Sequence, residues 1–352
     1  MINYISEEDL SYLFEFQTTF SNYFFKLKSI NSFTQLNIAK KITISKLSDY
    51  LSCVDFWDFL KKVLSLSTSP DSREDLNKIN VIDGISLLVK LRCISYGNEL
   101  KLIVTKSNSS LSESEREQLL KNPKSSVNKI NLNLDLDMII DGWVSHVKSV
   151  LEKNNHIQEG NFEVKIKLPD FKETPFINFN CENLNTEMDS YLHLYIDKLS
   201  FKEKEFPYCS LTKDQQIQLL QSLPVGIYNK IKNTVFLINE QISSYNFYKV
   251  KVLEEDRIHF LNGSMPEFLG LIYTEKINNL YKEFYILGKK NIHPGFIEKI
   301  SPLERHMFLG FIEEENTLKN NIINEGSEEN NAASLFQSPE SSNFVPTLDD
   351  FQ

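Results

Sequence analysis

Residues 79–97 read INVIDGISLLVKLRCISYG, an apolar segment long enough to form a buried helix. Its spacing predicts four inward-facing side chains, Ile85, Leu88, Val89 and Ile94. Gly97 is predicted to end the helix, because glycine adopts at little cost the left-handed backbone that a helix terminus requires. A buried helix is therefore predicted within the first third of the chain.

Two strands are predicted on the C-terminal side of this helix. Leu100–Thr105 reads LKLIVT, and residues 129–136 read KINLNLDL, with isoleucine or leucine at every second position. Such alternation is typical of a half-buried strand. The intervening residues 106–128 are rich in serine and charge. The predicted local order is therefore helix, strand, long polar excursion, strand.

Helix and strand patterns continue through the middle of the chain. Residues 138–153 have a helical pattern, residues 162–168 alternate, and PFINFN at 175–180 repeats the strand signal. We therefore predict a mixed α+β domain over residues 75–210 that contains a β-hairpin.

The N-terminal region is predicted to be helical over residues 1–66, because its apolar side chains recur at helix-like spacing. These side chains are Leu10, Leu13, Phe14, Phe20, Phe24 and Leu27. The polar segment STSPDSREDLNK at residues 67–78 interrupts the pattern. A boundary is placed there, and the helical N-terminal region is assigned to residues 1–74.

Helical patterns dominate residues 211–320, which are predicted to form a mainly helical domain. Residues 225–245 have amphipathic spacing, with Ile227, Ile231, Val235 and Ile238 on one face. A strand-like segment follows at residues 249–263, and residues 266–289 are predicted to form the longest helix.

Two capping signals place helix starts within this domain. Thr212 precedes Gln215 by three residues, and Ser301 precedes Glu304 with Pro302 at the first helical position. The helix after Ser301 is predicted to carry an apolar stripe of Met307, Phe308, Phe311 and Ile312.

Residues 321–352 are predicted to be a disordered acidic tail. The chain has a net charge of −10, and six acidic residues without any basic residue follow Lys319. Isolated apolar residues in the tail are predicted to be anchors for a protein partner: Leu335, Phe336, Phe344 and Phe351. An unselective, solvated terminus explains the same composition, and both interpretations stay open.

The sequence contains none of the common catalytic signatures, such as GxSxG, a P-loop, GxGxxG or HExxH. Asp135, Asp137 and Asp141 form the best carboxylate cluster, and hard cations prefer clustered oxygen ligands. Their pattern favours a solvent-facing position and a cap for the next helix. A metal-ligand pair of His293 and His306 is a weaker alternative. We predict no catalytic residue, cofactor or metal.

The net negative charge argues against nucleic acid as a partner, because phosphate binding needs a basic face. Four dispersed cysteines are predicted to be buried thiols in a reducing compartment: Cys53, Cys93, Cys181 and Cys209. The first residues have no signal-peptide pattern, and no apolar run reaches the roughly 18 residues of a membrane span. Neither a membrane nor a small-molecule ligand is expected.

Residues 79–140 resemble the baseplate hub proteins of T-even-like contractile-tailed phages, and residues 211–320 show a looser similarity. The resemblance rests on Arg92-x-x-Ser-Tyr96-Gly97 at the end of an apolar helix, followed by a hairpin. The hairpin of that family often carries a Cys-x-x-Cys knuckle, whereas residues 105–126 contain no cysteine. A metal knuckle is therefore not expected in this chain.

The resemblance implies a structural subunit of a phage tail baseplate hub, with other hub or tape-measure proteins as partners. It implies synthesis in the host cytoplasm and a final location in the virion. Arg92 is expected to form an ion pair or a backbone cap, Tyr96 to pack, and Gly97 to permit the turn. The alternatives are an assembly chaperone that is absent from the virion, and an enzyme that depends on the three aspartates.

Overall fold

The computed structural model describes residues 12, 14–44, 50–105, 112–122, 129–173, 191–243, 265–273 and 277–329. The chain divides into two compact units, Met1–Arg305 and His306–Gln352. Helices and small antiparallel sheets share the first unit, which confirms the predicted α+β class. The described part of the second unit is helical.

The chain's first described elements are strands, so the helical prediction is wrong for this part of the N-terminal region. Strands β1 (Phe14–Gln17) and β2 (Phe24–Leu27) form an antiparallel hairpin. Side chains alternate along β2, where Phe25 and Leu27 are buried and Phe24 is exposed. Phenylalanines on both faces of the hairpin produced the helix-like spacing. Helices α1 (Ser32–Ile44) and α2 (Tyr50–Ser67) follow as predicted.

Helix α4 (Val81–Tyr96) confirms the predicted buried helix. It follows helix α3 (Pro70–Arg73) and a 3-10 turn (Glu74–Asn77). The Asn80 side chain caps its first turn by accepting hydrogen bonds from the backbone N–H of Ile82 and Asp83. At the other end, Gly97 has φ of 89°, as the predicted terminus requires. Twelve residues of α4 are buried, which places this helix at the centre of the core.

The predicted hairpin is formed by strands β3 (Glu99–Thr105) and β4 (Lys129–Asp135), paired antiparallel. Between them lies helix α5 (Glu113–Lys121), which the sequence interpretation missed. Helix α5 has no buried residue, so no apolar periodicity marks it; its signal is the capping box of Ser112 and Glu115. Helix α6 (Leu136–Asn154) follows β4 directly, as predicted.

A four-stranded antiparallel sheet follows α6 along the chain. Its strand order is β5-β6-β7-β8, so each strand neighbours the next along the chain. The strands are β5 (His156–Glu159), β6 (Phe162–Ile166), β7 (Ile196–Phe201) and β8 (Lys204–Phe206). Short 3-10 turns lie at Phe171–Glu173, Leu192–Tyr195 and Tyr208–Ser210. The predicted strand at 162–168 is confirmed, and the segment at 175–180 lies outside the described residues.

The remaining described elements are helices, as predicted for this region. They are α7 (Lys213–Gln221), α8 (Val225–Ser243), α9 (Met265–Ile272), α10 (Ile277–Lys289), α11 (Pro294–Ile297) and α12 (Pro302–Glu329). The capping boxes at Thr212 and Ser301 are both confirmed. The four apolar residues predicted along α8 are buried.

Two predictions about these helices are wrong. The single helix predicted over residues 266–289 is replaced by α9 and α10, with Tyr273 in a turn after α9. Helix α12 continues to Glu329, beyond the predicted end of helical structure near Asn320. The strand-like segment at 249–263 and the four tail anchors, Leu335, Phe336, Phe344 and Phe351, lie outside the described residues.

A continuous cluster of buried side chains extends from Phe25 to Tyr273 and forms the main core of the first unit. Trp143 of α6 and Leu88 of α4 lie within it and are fully buried. A smaller cluster joins Leu36 and Ala39 to Leu280. The four predicted regions, 1–74, 75–210, 211–320 and 321–352, stay predictions.

Two cysteines whose exposure the structure describes differ from each other, so the expectation of four buried thiols is wrong for one of them; Cys181 and the side chain of Cys53 lie outside what the structure describes. Cys93 is buried in α4, whereas Cys209 is exposed and its thiol lies 3.2 Å from the Asp197 carbonyl oxygen. Burial raises the pKa of the Cys93 thiol from 9.0 to about 12. Cys209 lies in a short turn near the surface, where the apolar residues around it in sequence do not cover it.

We expect the free energy of unfolding to fall as the pH rises above about 9. The unfolded Cys93 thiol then loses its proton, whereas the folded thiol keeps it until about pH 12, so the unfolded state binds fewer protons. Burial also raises the pKa values of Tyr195, Tyr208 and Tyr273, which adds to the loss at higher pH. Denaturant titrations over a pH series would measure this trend. Rising stability over the same pH range would contradict it.

Candidate functional site

Arg92, Tyr96 and Gly97 come together at the C-terminal end of α4. The Arg92 guanidinium is buried and donates hydrogen bonds to the carbonyl oxygens of Ile272 (2.9 Å) and Gly97. A longer bond reaches the carbonyl oxygen of Glu99 (3.5 Å). These bonds to backbone carbonyl groups are consistent with the backbone-cap role expected for Arg92.

Aromatic rings enclose this guanidinium. The Cζ atom of Arg92 lies 4.7 Å from the centre of the Tyr96 ring, which meets the Tyr273 ring edge-on at 6.1 Å. The Tyr273 hydroxyl donates to the carbonyl oxygen of Leu88 (2.7 Å). The junction therefore joins α4 to the start of β3 and the end of α9. The hydrogen bonds of Arg92 and Tyr273 hold these elements together.

We expect Arg92→Met to lower the free energy of unfolding by about 2–3 kcal/mol. Hydrogen bonds from a charged donor contribute about 1.5–3 kcal/mol each, and the carbonyl groups left behind lose a buried partner. Chemical denaturation followed by circular dichroism would measure the change. The matched variant Arg116→Met, on the exposed helix α5, should change stability by at most about 0.5 kcal/mol. Equal effects of the two variants would refute the capping role.

The predicted carboxylate cluster has structural contacts in the first unit. Asp135 caps α6 by accepting from the backbone N–H of Asp137 and Met138. Asp137 and Asp141 form ion pairs with Lys90 at 2.9 and 3.1 Å. Burial lowers the pKa of Lys90, but its hydrogen bonds to the two aspartates outweigh burial and raise the pKa overall. These contacts favour the predicted helix cap and solvent-facing cluster over the enzymatic interpretation.

The histidines also occupy structural positions where the structure describes them. His193 is buried in the 3-10 turn before β7, and its carbonyl oxygen accepts from the Tyr208 hydroxyl. His293 caps α11, because its Nδ1 accepts from the backbone N–H of Gly295 (3.1 Å). His306 lies in the second unit. Within the described residues, no group of three or more potential ligands forms a metal site.

Arg305 is a buried charge that the sequence interpretation missed. It is 0% exposed, and its Nε donates to a Glu283 carboxylate oxygen at 2.7 Å. Its Nη1 donates to the Ser32 hydroxyl (2.8 Å) and to the Gln35 side chain. The Ser32 backbone N–H also donates to the carbonyl oxygen of Ile300 (2.8 Å). These bonds connect α1, α10 and the first turn of α12 within the first unit.

An exposed apolar face lies on the part of α12 that belongs to the second unit. Met307, Phe311 and Leu318 are 55%, 59% and 63% exposed and share one side of the helix, since they are spaced by four and seven residues. Glu313, Glu314 and Glu315 lie between Phe311 and Leu318. Of the predicted stripe, Met307 and Phe311 are exposed, whereas Phe308 and Ile312 are half-buried.

A family model described as T4 bacteriophage base plate protein matches residues 54–251, more than half of the 352 residues. The chain belongs to this family. The matched region of this base plate protein includes α4 with Arg92, Tyr96 and Gly97, and the β3-β4 hairpin, whereas Ile272 and Tyr273 of the junction lie outside it. No match is found among curated proteins or among solved structures.

Family membership makes the chain a structural component of the phage baseplate, with protein partners there and a location in the virion tail. The expected family is thus confirmed at the level of the baseplate. Among the described helices, none combines the length and apolar character that crossing a membrane requires.

Proposed function

We propose that the chain is a structural component of the baseplate hub that remains in the particle and binds other hub or tape-measure proteins. The exposed face of α12, formed by Met307, Phe311 and Leu318, carries this proposal. Removing three large apolar side chains on one helix face from water lowers the free energy of the complex, which favours binding of a partner. A subunit that acts through protein contacts needs such a surface.

An acidic residue lies beside this face. Glu314 is on the same side of α12 as the three apolar side chains, so a partner surface with an apolar centre and a basic rim fits best. The tail residues Leu335, Phe336, Phe344 and Phe351 are proposed as further anchors for the same partner. Synthesis in the host cytoplasm precedes incorporation into the tail.

Incorporation into phage particles tests the proposal. Changing Met307, Phe311 and Leu318 to serine should reduce the copy number in purified particles by at least about tenfold, because central apolar anchors dominate interface energetics. Quantitative mass spectrometry would measure the copy number. The matched control changes three exposed apolar residues elsewhere, Leu66, Leu120 and Val225, to serine. Wild-type incorporation of the α12 variant would refute the proposal.

A second candidate is an assembly chaperone, which the strongly acidic composition after Lys319 favours. In this alternative the acidic tail shields a partner before assembly. The same experiment separates the candidates, since a chaperone would be absent from purified wild-type particles and present with tail precursors. Deleting residues 326–352 should then abolish co-purification with those precursors.

A further inference from the structure

An open cavity of about 670 Å³ lies in the first unit between α2, α3 and the turn at Phe171–Glu173. Four of its lining residues are basic: Lys61, Lys62, Arg73 and Lys172. Two are acidic, Asp58 and Glu74, and its apolar lining includes Leu76 and Phe171. The cavity is therefore electropositive although the whole chain has a net charge of −10.

The charges in the cavity are only partly compensated. Lys61 forms an ion pair with Asp58 at 2.8 Å and donates to the carbonyl oxygen of Lys172 at 3.3 Å. Within the described part of the chain, Lys62, Arg73 and Lys172 form no ion pair. Arg73 donates through Nη2 to the Thr68 carbonyl oxygen (3.3 Å), and its buried Nε has no acceptor. Three cations thus remain for an anionic ligand, opposed by Glu74 alone.

The apolar wall of the cavity is firmly held. The Phe171 ring meets the Trp57 ring edge-on at 5.5 Å and covers Gly84, where an added Cβ would lie 2.0 Å from the ring. The Phe171 backbone N–H donates to the Ile79 carbonyl oxygen at 2.9 Å. A ligand would meet a preformed surface, so binding requires little ordering of this wall.

We propose that this cavity binds an acidic peptide segment of a baseplate partner. Phe171 and Leu76 are only 3% and 7% exposed, so the cavity offers a ligand mainly its charges, and carboxylates of the peptide pair with Lys62, Arg73 and Lys172. Asp58 and Glu74 disfavour a nucleic acid, because a phosphate backbone needs an uninterrupted basic track. The placement of the partner in the baseplate rests on the proposed function; the peptide chemistry rests on the cavity.

Binding of a labelled synthetic peptide tests the proposal on the full chain. The peptide is rich in aspartate and glutamate, and fluorescence anisotropy gives its Kd. The double variant Lys62→Glu with Lys172→Glu should weaken binding at least about tenfold, and wild-type affinity should fall as salt rises. The control variant Lys148→Glu with Lys213→Glu changes the net charge equally at exposed positions away from the cavity and should keep wild-type affinity.

Three results would overturn the proposal. These are no measurable peptide binding, equal weakening by the control variant, and tighter binding of a single-stranded oligonucleotide than of the peptide. Circular dichroism of each variant confirms that the exposed substitutions leave the fold intact. Incorporation of the Lys62 and Lys172 variant into particles is measured separately. If the wild-type chain binds the peptide but is absent from purified wild-type particles, only the hub proposal is refuted. If the wild-type chain is present in the particles but does not bind the peptide, only the peptide site is refuted.

Discussion

Replacing Arg305 by methionine is expected to lower the free energy of unfolding by about 3–5 kcal/mol, the cost of breaking a buried ion pair on one side. Methionine fills much of the same volume but leaves Glu283, Ser32 and Gln35 without the guanidinium that now binds them. Urea denaturation followed by circular dichroism measures the loss. Helix α1 should also lose amide-exchange protection first, because two of these partners lie in its first turns.

Two further variants separate charge from packing at this position. Arg305→Lys keeps the positive charge but lacks the planar guanidinium group. It should therefore be more stable than Arg305→Met and less stable than the wild-type chain, with one of the three partners left unbound. Glu283→Gln removes the opposing charge but keeps a hydrogen-bond acceptor, and a loss smaller than that of Arg305→Met is expected. If the Arg305→Met variant had the same urea midpoint of unfolding as the wild-type chain, the hydrogen bonds and ion pair of Arg305 would contribute nothing to stability.

Asp83→Ala is expected to lower the free energy of unfolding by about 3–4 kcal/mol, since several partly buried donors lose a charged, buried acceptor together. The Asp83 carboxylate is 1% exposed. It accepts from the backbone N–H of Phe20 (3.1 Å) and from the backbone N–H and hydroxyl of Ser21 (2.8 and 2.6 Å). It also lies in the first turn of α4, where the helix dipole favours a negative charge.

Asp83→Asn keeps one acceptor and should cost less than Asp83→Ala. The control Asp71→Ala alters an exposed carboxylate in α3 and should change stability by at most about 0.5 kcal/mol. Denaturant titrations of the three variants, with near-ultraviolet circular dichroism as a probe of packing, measure these differences. A loss no larger than that of Asp71→Ala would show that the hairpin turn is held by other contacts.

The elements that the sequence predicts correctly are those defined by local signals. Helix α4 is marked by a continuous apolar run and a terminal glycine, and β4 is marked by strict alternation. The capping boxes at Thr212 and Ser301 are local as well. Each of these signals acts over a few neighbouring residues, so one sequence contains the information needed to place it.

The features that the sequence interpretation missed depend on residues distant along the chain. The β1-β2 hairpin is fastened by Asp83, more than 60 residues after its turn. Arg305 is buried by side chains of α1 and α10, and no local pattern distinguishes it from a solvent-facing arginine beside an apolar stripe. The cavity at Lys62 and Lys172 likewise joins segments about 110 residues apart. Such contacts are set by the tertiary structure.

The bond between Arg305 and Ser32 spans 273 residues, and it has a consequence for the newly made chain. At a synthesis rate of about 5–20 residues per second, roughly 14–55 s pass between the translation of the two residues. Helix α1 emerges from the ribosome long before its final neighbours exist. Its polar first turn, with Ser32 and Gln35, stays hydrated during that interval and is buried only when α10 and Arg305 arrive. The contact between α1 and Arg305 therefore forms only after most of the first unit has been synthesised.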